Sequence, residues 1–197
     1  MALLHGLLWP FQTWNSLILP IGRWISIVAI ALMVLAILIQ VFFRYVLNAA
    51  LPWPDEAARF MMLWLTGLMA PIAFRRGGFV AIDMLGMALP RKLGEVLSIL
   101  LLLISAGVLY IAIGIGWSEV TGFGGRFATA SLYLPTALDF GSWFRLPRSW
   151  MMASLLVGVV LLFIVNIELI LRALITLLGG GDRLMSLLPP EEEIMAE

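Results

Sequence analysis

Cysteine is absent from the 197 residues, which excludes disulfides, thiolate nucleophiles and Cys-ligated metal. Histidine is nearly so. His5 is the single imidazole, and a bis-histidine haem cannot be assembled from this chain alone. Charge is scarce: Asp, Glu, Lys and Arg make up 12% of the residues, against about 25% in an ordinary soluble domain. The charges sum to zero, so there is no basic surface for nucleic acid and no polybasic lipid-binding tail. No basic residue precedes Arg23, so residues 1–20 lack the charged start of a secretory signal. Trp9, Trp14, Pro10 and Pro20 read instead as an interfacial lead-in to a first membrane span.

Enzyme signatures are missing as well. There is no nucleophile beside a base, no metal-ligand spacing and no phosphate loop, so the chain reads as a non-enzyme without a cofactor. Gly77-Gly78 follows a helical pattern rather than a strand and reads as a helix end. The eleven methionines read as gap-filling residues rather than a metal path.

What is present is apolar. Hydrophobic residues make up 62% of the chain, and uncharged runs match the roughly 20 residues needed to cross hydrocarbon. Four spans are expected, at about 21–46, 57–74, 96–118 and 150–171. Backbone groups in lipid must be satisfied within the segment, so the fold expected is all-α, an integral membrane protein of four transmembrane helices. Between the second and third spans, Val80, Met84, Leu85, Ala88 and Leu89 could line one face of a short interfacial helix. Residues 119–149 read as a long aromatic loop lying on the membrane or on a partner. Residues 1–178 form the membrane domain, and 179–197 an acidic cytoplasmic tail.

An even number of spans puts both termini on one side. That side would hold Arg23, Arg75, Arg76, Arg91, Lys92, Arg172 and Arg183. The other would hold Arg44, Arg59, Arg126, Arg145 and Arg148. The positive-inside bias favours cytoplasmic termini, chiefly through the compact loop with four basic residues at 75–92. No internal repeat and no inverted pair of broken helices is visible.

The charges cluster at helix ends. Asp55 and Arg59 are four apart and Glu56 and Arg59 three apart, each pair on one helical face, and Arg44 could reach Glu56 across the turn. This set reads either as an ionic clasp meeting a partner subunit or as interfacial anchoring by snorkelling side chains. Trp53 and Trp64, eleven apart, share a face. Trp53 reads as a membrane-belt residue and Trp64 as packing against another helix. Glu168 and Arg172 have i,i+4 spacing, which fits a neutralised pair better than a proton relay. Ala112 with Gly116, and Gly114 with Ser118, have the small-xxx-small spacing that allows close helix approach.

Residues 44–83 resemble the small membrane subunit of TRAP (tripartite ATP-independent periplasmic) transporters, the Q subunit or DctQ-like protein. Arg44-Tyr45 matches the pair that closes the family's first span. Trp53, Asp55, Glu56 and Arg59 match the Trp, acidic pair and arginine that open its second, and Trp64 the tryptophan within it. Arg75 or Arg76, Gly77, Gly78 and Asp83 match the arginine, paired glycines and aspartate that follow. Phe79 stands where family members commonly have histidine, and the 119–149 loop is longer and more aromatic than the family pattern.

The resemblance implies a small permease subunit in the bacterial cytoplasmic (inner) membrane. It would scaffold a large multi-span subunit in sodium-driven uptake of an organic acid, commonly a carboxylate, delivered by a periplasmic substrate-binding protein. It also implies that the matched residues serve structure or subunit contact, with no substrate site of the chain's own. The rival readings are a self-sufficient dimeric transporter, proton-coupled through Glu168, and a membrane-enzyme subunit or cofactor anchor.

Overall fold

The uncharged runs become helices because a peptide group in hydrocarbon has only the chain's own backbone to bond. The computed structural model describes residues 2–77, 90–135 and 143–180. The expected interfacial helix at 80–89 and the acidic tail lie outside them. Helix α1 spans Ala2–Tyr45, α2 Trp53–Arg75, α3 Arg91–Thr121 and α4 Ser149–Leu177. Among the described residues, these four helices are each long and apolar enough to cross a membrane. The chain is an all-α integral membrane protein.

The helices extend beyond the expected spans: α2 begins at Trp53 rather than near 57, α3 at Arg91 rather than near 96, and α4 ends at Leu177 rather than near 171. Helix α1 begins at Ala2, ahead of the span expected from about residue 21, and stays helical through Pro10 and Pro20, each of which forgoes one backbone hydrogen bond. Its 44 residues measure about 66 Å at about 1.5 Å per residue, over twice the hydrocarbon thickness. Helix α3 runs three residues past Ser118. The region expected as a loop then forms a 3-10 turn at Gly124–Arg126 and a two-stranded antiparallel hairpin, β1 Ala128–Pro135 with β2 Trp143–Pro147.

Helix α1 is inside-out relative to a soluble helix. Its buried positions include Leu8, Asn15, Leu19, Gly22, Ser26, Ala29, Ala36 and Gln40, and from Asn15 to Ala29 they alternate in steps of four and three. That 3.5-residue period is the seam of a helix packing at a shallow angle on its neighbours, and the small side chains let backbones approach. The large apolar residues face outward, with Trp9 and Trp24 each 70% exposed. Helix α2 opens with Asp55 and Glu56, which complement the positive helix N-terminus. It closes at Gly77, whose φ of 77° is a left-handed conformation that favours glycine.

The four helices and the hairpin form two compact units. The first comprises Met1–Pro20, Ala70–Ile111 and Val160–Glu197. Its apolar core is Leu19, Ile72 and Val165, with Phe74 and Leu169 packed against them. In the same unit, Asn166 of α4 donates through Nδ2 to the Leu102 carbonyl of α3 at 3.1 Å.

The second unit comprises Ile21–Met69 and Ala112–Val159. Within it, α2 and α4 cross in close contact. A Cβ built on Gly67 would lie 2.4 Å from the Ser154 carbonyl oxygen. One built on Gly158 would lie 2.7 Å from Gly67 Cα and 2.8 Å from its carbonyl oxygen. Pro71 has no N–H to offer the Gly67 carbonyl four residues back, which leaves that carbonyl turned to the facing glycine. Ser154 and Gly158 thus form the small-xxx-small pair of the α2–α4 contact. Of the pairs expected in α3, Gly116 meets Leu156, whereas Gly114 faces open space.

Candidate functional site

Glu168 is placed by α4 one turn before Arg172, and its side chain is fully buried. A buried carboxylate survives as a charge only if its oxygens are bonded to donors. Here four donors reach it. Arg75, at the end of α2, forks onto it, with Nε to Oε2 and Nη2 to Oε1 both at 2.9 Å. Arg172 Nε donates to Oε1 at 3.0 Å, and Asn15 of α1 donates to Oε2 at 2.6 Å. A carboxylate offers about four acceptor positions, so this one is saturated. Among the described residues, two arginines face this one glutamate. The bidentate Arg75 pair fixes geometry as well as charge, in the manner typical of arginine forks. The arrangement ties three helices through one carboxylate.

The second constellation centres on Glu56, in the first turn of α2. Its Oε1 accepts from Ala130 N at 2.8 Å, and its Oε2 from Ser131 N at 2.5 Å. Ser131 Oγ lies 2.7 Å from Glu56 Oε2 and 2.8 Å from the Pro52 carbonyl, and its one proton serves one of them at a time. Strand β1 is therefore stapled to the start of α2. The hairpin is braced from within. Thr129 Oγ1 donates to the Leu146 carbonyl at 2.9 Å. Arg145 of β2 donates to the carbonyls of Thr129 and Ala130 and lies over the Tyr133 ring at 5.6 Å. The strands slip in register between Ala128 and Tyr133, a bulge that turns Thr129 inward.

The pairings expected within the 44–59 set are not what holds it. Glu56 is engaged by the hairpin rather than by Arg44 or Arg59. Arg44 lies over its neighbour Tyr45 at 5.8 Å, and both are exposed. Asp55 and Arg59 are exposed and form no ion pair among the described residues. Trp53 is partly exposed. Trp64 is half-buried and lies 6.4 Å from Phe60, with its Nε1 buried and without a partner among the described residues. Arg75 joins the Glu168 cluster, Arg76 is exposed and Gly77 ends α2. Gly78 and Asp83 lie outside the described residues.

Asn15, Ser131, Thr129 and Arg145 were not singled out from sequence. Asn15 carried a usable signal, a polar residue on the small-residue seam of α1. The hairpin residues carried none.

Comparison with known proteins agrees with this architecture. The family model described as the DctQ component of the tripartite ATP-independent periplasmic transporters matches residues 33–176, from within α1 to the last turn of α4. A comparison with curated proteins returns no match. The matched segment includes both the Glu56 staple and the Arg75–Glu168–Arg172 cluster, and it covers most of the chain. This protein therefore belongs to the DctQ family of TRAP transporter components, the small permease subunits, and is a multi-pass protein of the bacterial inner membrane.

Proposed function

We propose that this small subunit is a stationary frame for the large membrane subunit of its transporter, in sodium-driven uptake of an organic acid presented by a periplasmic binding protein. The chain itself carries no substrate and no coupling ion. The observation that supports this reading is the saturation of Glu168 by Asn15, Arg75 and Arg172. A carboxylate that shuttles protons needs a free position and a change of partner, whereas one locked by four donors serves to hold helices together. Arg44, Tyr45, Trp53, Asp55, Arg59 and Arg76, exposed at the ends of α1 and α2, are the candidate contacts to the other subunits. The basic residues at 75–92 support termini on the cytoplasmic side.

The test separates assembly from turnover. Glu168→Gln in the complete transporter is expected to lower the yield of assembled complex but leave uptake per assembled complex within about two-fold of wild type, since small rate effects convert to only tenths of a kcal/mol. Normal assembly with abolished uptake would instead assign Glu168 to the transport step.

A further inference from the structure

The uncharged run of α4 opens at Ser149 and closes at Ile167, and its length of about 28 Å is close to the hydrocarbon thickness. Trp150 therefore sits at the rim of the hydrocarbon. Helix α3 reaches the same rim from its other end, since its uncharged run closes with Trp117 and Ser118. Both indoles are exposed. From Trp117 to the end of α3 at Thr121 is about 6 Å, and the headgroup layer on each side of a bilayer is about 5–8 Å deep. The 3-10 turn Gly124–Arg126 at the base of the hairpin thus falls at headgroup depth.

The turn is held there. A Cβ built on Gly125 would stand 2.6 Å from the Val120 carbonyl oxygen and 3.3 Å from Ser149 Cβ, so the turn is pressed onto the ends of both helices. Arg148 N donates to the Phe127 carbonyl at 2.7 Å. Phe123 and Phe127 meet edge to face, with ring centroids 5.1 Å apart, yet remain 77% and 53% exposed. Arg126 lies between them in sequence and Arg148 is paired to Phe127 through the backbone. Both arginines are exposed and form no ion pair among the described residues. Glu119 is the one carboxylate among the described residues of 112–159.

The order of these side chains with depth says what covers them. Indoles stand at the rim, and phenyl rings with unpaired guanidinium groups stand about one helical turn further out. That is the gradient of a bilayer interface, from hydrocarbon through the ester layer to phosphate. An arginine at this depth keeps its stem on the acyl side and its charge among the phosphates. The surplus of positive charge selects anionic headgroups.

We infer that Phe123, Arg126, Phe127 and Arg148 form a foot seated in the headgroup layer, with anionic phospholipid as its partner. The foot fixes the depth of the hairpin against the membrane. It needs only the four-span fold, and holds whether or not the chain acts as a frame.

The test exploits the lack of cysteine. Single Phe123→Cys and Phe127→Cys variants of the full chain carry a bimane label in bilayers of phosphatidylcholine and phosphatidylglycerol, one or the other brominated. Both labels are expected to be quenched by brominated lipid, and more strongly by brominated phosphatidylglycerol. Adding Arg126→Gln or Arg148→Gln should lower that preference by up to about five-fold, the usual worth of one basic residue near an anionic surface. Labels that escape both brominated lipids would place the turn in water and overturn the inference. Equal quenching by the two lipids, or a preference unchanged in both arginine variants, overturns the anionic partner. The same labels in the complete transporter should stay quenched. Loss of quenching there would assign the surface to another subunit.

Discussion

At the scale of single residues, the two glutamates have different costs of removal. Glu168 has no exposure, and Arg75 and Arg172 keep little, at 16% and 9% of their side chains. Removing one partner of a buried ion pair typically costs about 3–5 kcal/mol because the remaining charge is left uncompensated. Glu168→Gln should therefore lower the thermal midpoint of the purified chain in detergent markedly. The triple change that also makes Arg75→Gln and Arg172→Gln should cost less than the sum of its parts, since the three act as one network. Additive losses would show that the contacts are energetically separate. Glu56 is only partly buried, and its loss leaves the N–H groups of Ala130 and Ser131 to find water. Glu56→Ala should cost about 1 kcal/mol, the low end for such groups. It should appear as faster amide exchange and faster proteolysis within 128–147, with helix stability nearly unchanged. Equal exchange in variant and wild type would mean that the hairpin is held by something else.

At the scale of elements, the helix contacts rank the glycines. Gly67 and Gly158 meet backbone atoms, which cannot rotate away as a side chain can. Alanine at either position must push α2 and α4 apart, and core overpacking of this kind typically costs about 1–3 kcal/mol. Gly107 and Gly114 of α3 have nothing within 4 Å of a built Cβ. Alanine there should be neutral or stabilising by up to about 1 kcal/mol through helix propensity. Thermal unfolding of the four single variants checks this ordering, and equal effects at all four sites would contradict the α2–α4 crossing. The hairpin is the element least visible in advance. Strand β1 mixes Ala128, Ala130 and Ser131, which favour strands weakly, with a bulge that breaks the period-two pattern. What fixes it is Glu56, 75 residues away in sequence from Ser131.

At the scale of the whole molecule, the four spans were legible because hydrocarbon imposes one simple rule on length and charge. The Glu168–Arg172 pair was legible because it is one helical turn long. Its other partners were not: Arg75 is 93 residues away and Asn15 is 153, and no local spacing carries such information. The helical start of α1 was not legible, because charge marks where lipid ends, whereas a helix ends only where its hydrogen bonds do. The family was legible in the motif at 44–83, and the family match extends that likeness over residues 33–176. The motif's spacing suggested pairings within 44–59. In the fold, Glu56 and Arg75 instead reach distant segments.

The central claim, that this chain frames a transporter without carrying its substrate, is tested most directly by uptake into proteoliposomes with one component omitted at a time. The small subunit alone should take up no organic acid under a sodium or proton gradient. The large subunit with the binding protein should transport poorly until the small subunit is added. Gradient-driven uptake by the small subunit alone would contradict the account.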